Sequence, residues 1–156
     1  MRIRAYEARD AADIAALYRR SVETLGLRDY SPDQVAAWAS RTPDAAAFHA
    51  RLSDGRAVFV WVDDADRPQA FADLEADGHI DFLYCAPEIV GTGAAAELYA
   101  AVEALARQRG MTRLHSEASE AALRFFLKRG FVKLHRRDLM IGETPIHNYA
   151  VEKSLA

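Results

Sequence analysis

The stretch "HIDFLYCAPEIVGTGAAAELYAAVEALARQRGMTRLHSEA", residues 79–118, constrains the fold most. A β-rich run leads into a loop with two glycines, Gly91 and Gly93, and the loop leads into a helix pattern. Leu98, Ala101, Val102 and Leu105 recur at helical spacing over Ala94 to Arg109, and Gly110 suits the position just past the last turn. "TRLHSEA" then reads as another strand. A strand reached through a helix is expected to lie parallel to the strand before it. The glycine loop therefore falls between a strand end and a helix N-terminus. Free N–H groups and the positive end of the helix dipole there suit an anion such as a pyrophosphate. Glycine permits positive φ and close approach of a ligand to the backbone. The loop is neither a Walker A loop, having no Lys-Ser/Thr, nor a full G-x-G-x-x-G, since Ala96 holds the third glycine place. Taken alone, it reads equally well as a structural turn.

The remaining elements follow from periodicity and caps. "RIRAY" alternates as a strand. Asp10 is placed to cap a helix over about residues 11–25, with Ile14, Leu17, Tyr18, Val22 and Leu25 as its apolar stripe. Ser31, Pro32 and Gln34 make a capping box for a second helix. "TPDAAAFHARL" predicts a third, with Thr42 as cap. "AVFVWV", "QAFADLE" and "HIDFLYC" read as an antiparallel meander over residues 57–85, with Asp77-Gly78 as a tight turn. Ser119 caps a helix "EAALRFFLKR", and a hairpin around "GETP" closes the chain. The predicted fold class is mixed α/β: a mostly antiparallel sheet of about seven strands with helices on both faces.

The 156 residues fit one domain with a sizeable core. A net charge of −3 gives no reason to expect nucleic acid or a membrane surface as partner. The single cysteine, Cys85, allows no internal disulfide and points to a reducing compartment. No apolar run reaches 18 residues, and "MRIRAYEARD" has no signal-peptide core. The expected location is cytoplasmic. The histidines show no metal-ligand spacing, so no metal is expected.

Two stretches resemble signatures of the GNAT superfamily, the Gcn5-related N-acetyltransferases. Val90, Gly91, Thr92, Gly93, Ala94 and Ala95 fill the six places of its acetyl-CoA motif, Q/R-x-x-G-x-G/A. "SEASEAALRFFLKRGF" is similar to its second signature, a capped helix with two aromatics before Gly-Phe. The resemblance covers essentially the whole chain and is nearest to small bacterial acetyltransferases. It implies direct acetyl transfer from acetyl-CoA to a primary amine of a small molecule or peptide, with a homodimer among the family's assemblies. Departures are Val90 at the Gln/Arg place, Ser119 at the place that often holds Asn, and Phe126 at the place of a catalytic tyrosine. They leave a non-catalytic acyl-CoA-binding module as the alternative.

By the same resemblance, backbone groups of Leu83, Tyr84 and Cys85 are expected to hold the cosubstrate, with Ser119 and Phe126 beside it. Tyr30 and Trp38 are expected to wall the acceptor side. Asp81 sits where an apolar residue would fit, so it either faces the cleft as a general base or pairs with a buried cation. His79 shares its face and is a candidate for substrate binding. Tyr149 is the candidate proton donor to the leaving thiolate, in place of Phe126. Cys85 has no basic neighbour in sequence to activate it.

Overall fold

The computed structural model describes all 156 residues. Strand β1 (Arg2–Ala5) is followed by helices α1 (Ala11–Leu25), α2 (Pro32–Ala39) and α3 (Ala45–Leu52). Strands β2 (Ala57–Val62), β3 (Pro68–Leu74) and β4 (Leu83–Cys85) come next, then α4 (Ala94–Gln108), β5 (Arg113–Ala118) and α5 (Glu120–Leu127). The hairpin of β6 (Val132–Ile141) and β7 (Thr144–Ser154) ends the chain. The strands form two antiparallel sheets, β1-β2-β3-β4 and β5-β7-β6.

The first sheet is covered on both faces, which is why β3 is buried at five consecutive residues, Ala70 to Leu74. Phe71 points to one face and packs against Phe48 of α3 and Phe82. Trp61, one register step away, points to the other, where its indole N–H donates to Glu97 of α4 at 2.9 Å. Ile14, Leu17 and Val22 of α1 are fully buried in the same core, as the stripe predicts.

The single expected sheet is thus divided into two. "HIDFLYC" and "TRLHSEA" run parallel only at one bridge, His79 to His115, and then part. Only Leu83–Cys85 of the expected strand is laddered. The cause is Asp73, whose Oδ1 accepts from the N–H groups of Asp81 at 2.9 Å and Phe82 at 2.7 Å, so a side chain takes donors a ladder would use. Two caps also differ. Asp44, not Thr42, caps α3, accepting from Ala47 N at 2.8 Å, while the Thr42 hydroxyl donates to Ala39 O at the end of α2. Asp10 precedes α1 but makes no side-chain cap bond to it, because its carboxylate holds the Arg4 guanidinium at 2.8 and 2.9 Å. The Ser31–Gln34 capping box and the Ser119 cap of α5 form as expected.

Candidate functional site

Where the two sheets part, they leave a cleft of about 390 Å³. Its floor is β4. One wall is the end of α1 with Tyr30 and Trp38; the other is the glycine loop with the start of α4; α5 closes the far side. Strand β4 is the edge of its sheet, with only β3 as neighbour. Ala86 N donates to Gln69 O, and Phe82 O accepts from Asp73 N, so the even-numbered residues turn to β3. By antiparallel alternation, the N–H and C=O groups of Leu83 and Cys85 face the open edge. Burial pushes the Cys85 thiol up to about 11, which keeps it protonated and a poor nucleophile.

Gly91 and Gly93 both have positive φ, 84° and 92°. A Cβ at either would meet nothing within 4 Å, so no neighbour in the chain requires glycine; the backbone conformation does. Gly93 is the residue from which α4 starts. The first N–H groups of that helix have no intrahelical partner and lie at the cleft wall. Across from them Phe125 and Arg129 of the α5 segment line the cleft, the guanidinium stacked 3.6 Å from the Phe125 ring centre. Ala122, Phe125 and Arg129, at helical spacing, form the cleft face of that segment.

At the other end the Tyr30 hydroxyl donates to His147 O at 3.0 Å and accepts from Glu120 N at 3.1 Å. Trp38 packs edge-on to Tyr30 and donates to the Tyr18 hydroxyl at 3.2 Å. Behind this wall the Glu120 carboxylate meets His147 Nε2 at 2.6 Å and accepts from the Tyr149 hydroxyl at 2.7 Å. Those two contacts, His147 first, hold Glu120 below the usual carboxylate range. The same bond to Glu120 raises Tyr149, so it remains a phenol.

Residues 26–142, three quarters of the chain, match the family model described as the acetyltransferase (GNAT) domain. The chain belongs to the GNAT acetyltransferase family. A GCN5-related N-acetyltransferase of Rhodopseudomonas palustris is 40% identical to this GNAT chain, with a TM-score of 0.90 over 99% of this chain and 95% of that one. An uncharacterised N-acetyltransferase of Mycobacterium tuberculosis is 27% identical, covering 94% of this chain and 98% of its own. At 16% identity and a TM-score of 0.77, the PaiA N-acetyltransferase of Thermoplasma acidophilum, solved with coenzyme A, shares the fold over 98% of both chains.

Of the residues singled out in the sequence of this GNAT chain, Leu83, Tyr84, Cys85, Val90, Gly91, Gly93, Ala94 and Ala95 line the cleft. Ser119, Tyr30 and Trp38 do too. Thr92 turns its hydroxyl away, donating to Ile89 O at 2.6 Å. Phe126 is 1% exposed and sits in the core against Tyr99 and Phe131; Phe125 is the phenylalanine of the pair that reaches the cleft. Asp81 stands outside the cleft, accepting from Arg56 at 2.9 Å and paired with Arg51 at 3.1 Å. Of its two readings, the ion pair is the one this geometry accommodates: Arg56 is nearly buried and needs carboxylates, which Asp73 and Asp54 also supply. His79 also lies away, between Glu117 and Glu75, which raise it to about 9. Tyr149 stands behind the wall, reaching the site only through Glu120. Glu120, His147, Phe125 and Arg129 were not singled out. The i, i+3, i+7 spacing of Ala122, Phe125 and Arg129 was the available signal for two of them; the approach of His147 to Glu120 is a tertiary contact without one.

Proposed function

We propose that the cleft binds acetyl-CoA and passes its acetyl group to a primary amine. One observation carries this reading. The positive-φ glycines at the start of α4 face the unpaired edge of β4 across a single cleft, so anion donors and amide-binding groups converge. Relatives of the same fold were solved with coenzyme A or, for a phosphinothricin acetyltransferase of Sinorhizobium meliloti, with acetyl-CoA. The residues fit such a cosubstrate: N–H groups of the loop and helix for its pyrophosphate, and Leu83 and Cys85 backbone groups for its amides. Arg28 and Arg129 bring to the cleft the positive charge that the loop lacks. Acetyl-CoA supplies an acetyl group already activated as a thioester.

Glu120 lies beyond Tyr30 rather than in the cleft lining; held ionised, it is a weak base and would attract an ammonium at the acceptor end by its charge. The amine sheds one proton to solvent before attack. As the carbon–nitrogen bond forms and the carbon–sulfur bond breaks, a second proton leaves nitrogen and one is taken up by the thiolate. Tyr149, a phenol bonded to Glu120, is the protonated group adjoining that anion.

The test is a panel of amines with acetyl-CoA, read as free thiol release, alongside coenzyme A titration. Gly93→Glu should abolish coenzyme A binding by bulk and by charge against pyrophosphate. Glu120→Gln should raise KM for the amine while coenzyme A binding holds. Unchanged coenzyme A affinity in Gly93→Glu would refute the loop assignment. Binding without turnover of any amine would leave the alternative, an acyl-CoA-binding module.

A further inference from the structure

The bridge between the two sheets carries a second constellation, outside the cleft and independent of the acetyl-transfer reading. We propose that His79, His115 and Glu117 form a binding site for a divalent transition-metal cation of the zinc class.

The backbone there is unusually close. Gly78 has a φ of 89°, and a Cβ on it would strike Arg113 O at 2.1 Å, so only glycine lets these segments touch. Ile80 N donates to His115 O at 2.9 Å and His115 N to Gly78 O at 3.1 Å. The Ser116 hydroxyl adds a bond to Ile80 O at 2.6 Å. This fixes two imidazoles side by side across the bridge, ring centres 5.0 Å apart. Glu117, two residues beyond His115 and so on the same face of β5, brings its carboxylate oxygens to 3.0 and 3.1 Å from His79 Nε2.

One ligand atom from each of the three lies within 4.8 Å of the others. Zinc–ligand bonds of about 2.0–2.2 Å place two donors on one ion no more than about 4.4 Å apart, so small side-chain rotations close the set. Two imidazoles and a carboxylate match the ligand chemistry that such ions prefer over calcium or magnesium. Glu75 holds the opposite nitrogen of His79, Nδ1, at 2.8 Å, which orients the ring with Nε2 toward the shared centre. The nearest carboxylate oxygen to His115 Nε2 is Asp77 Oδ2 at 3.6 Å, beyond hydrogen-bond distance. That leaves His115 free to ligate and Asp77 available as a fourth donor. Glu75, Asp77 and Glu117 supply negative charge around the two imidazoles. Arg56 comes to 3.7 Å from Glu75, and Arg137 acts on Glu117 from a distance. The neighbouring Asp73, Glu75 and Asp81 group offers no such site, because the Arg56 guanidinium already fills it. The cation takes the place of the proton that His79 shares with Glu117, and that proton is released.

The experiment is calorimetric titration of Zn²⁺ into tag-free, chelator-dialysed protein, with Co²⁺ absorbance as a second probe of coordination geometry. One ion per chain is expected, with a raised melting temperature and the visible bands of nitrogen- and oxygen-bound Co²⁺. His115→Ala and Glu117→Gln should each weaken Zn²⁺ by at least tenfold, with unchanged circular dichroism and coenzyme A affinity. His147→Ala, distant from the bridge, should leave Zn²⁺ binding intact. No saturable uptake would reduce the cluster to an internal ion pair and overturn the proposal. So would uptake unaffected by both His115→Ala and Glu117→Gln.

Discussion

Phe125 and Phe126 are adjacent, chemically identical and structurally unlike. Phe126 is packed among Tyr99, Phe125 and Phe131 in the core. Phe125 lies along the cleft under the Arg129 guanidinium. Truncating a buried phenylalanine costs about 3–5 kcal/mol, through lost transfer energy and the cavity left behind. Phe126→Ala should therefore lower the urea midpoint sharply. Phe125→Ala should cost far less stability and instead weaken coenzyme A, since it removes a cleft wall and the seat of Arg129. Denaturation and coenzyme A titration of both variants check this. Equal losses of stability would mean that the two rings share the core. The sequence alone presents the pair as a single aromatic signature, and a family pattern directs attention to the second. The helical spacing that links Ala122, Phe125 and Arg129 points to the first.

Among the elements, legibility follows the range of the interaction that shapes each one. The Ser31–Gln34 box and the Ser119 cap are local, and both are readable from three or four residues. The stripe of α1 and the meander of β2 and β3 follow from periodicity. The break in "HIDFLYC" is not readable, because the side chain responsible, Asp73, lies eight and nine residues upstream of the two donors it captures. Asp81 is similar: its buried partner, Arg56, comes from before β2. The glycine loop is legible, yet the division into two sheets that opens the cleft beside it depends on register across the chain. At Asp77-Gly78 the turn is readable but its tightness is not. Gly78 combines positive φ with a contact that no Cβ can occupy. Gly78→Ala should destabilise the fold by more than about 1 kcal/mol, the combined result of backbone strain and forced separation of the bridge. Gly91→Ala shares the φ strain but meets no neighbour, so its loss of stability should be the smaller. Thermal melts of the two variants make the comparison.

Across the whole molecule, one polar cluster fastens helix α4 to the second sheet. Lys153 of β7 donates to Glu103 at 2.6 Å, and the Tyr99 hydroxyl does the same. Burial opposes the charge on Glu103, but Lys153 and Tyr99 outweigh it and hold the carboxyl at about 2. A carboxyl depressed in the folded state contributes stability above its unfolded value, near 4.5, and loses it as pH falls toward 2. Between pH 5 and pH 2 the urea midpoint of the wild type should fall more steeply than that of Glu103→Gln. Parallel curves would assign acid sensitivity to other carboxylates. The cluster matters to the site because α4, which it holds near mid-length, carries the glycine loop at its N-terminus.

The unpaired edge of β4 has a kinetic signature. Each strand of the first sheet is laddered to a neighbour, but Leu83 and Cys85 direct their amides into a gap where the next strand would lie. A ligand seated there takes the place of the absent strand. In hydrogen exchange the Leu83 and Cys85 amides should be rapid in the free protein, while Tyr84, turned to β3, exchanges slowly. Addition of coenzyme A should slow the two odd-numbered amides and leave Tyr84 almost unchanged. The free protein is in this sense an unfinished sheet, and in the proposed complex the amides of coenzyme A would supply the pairing that the gene does not encode.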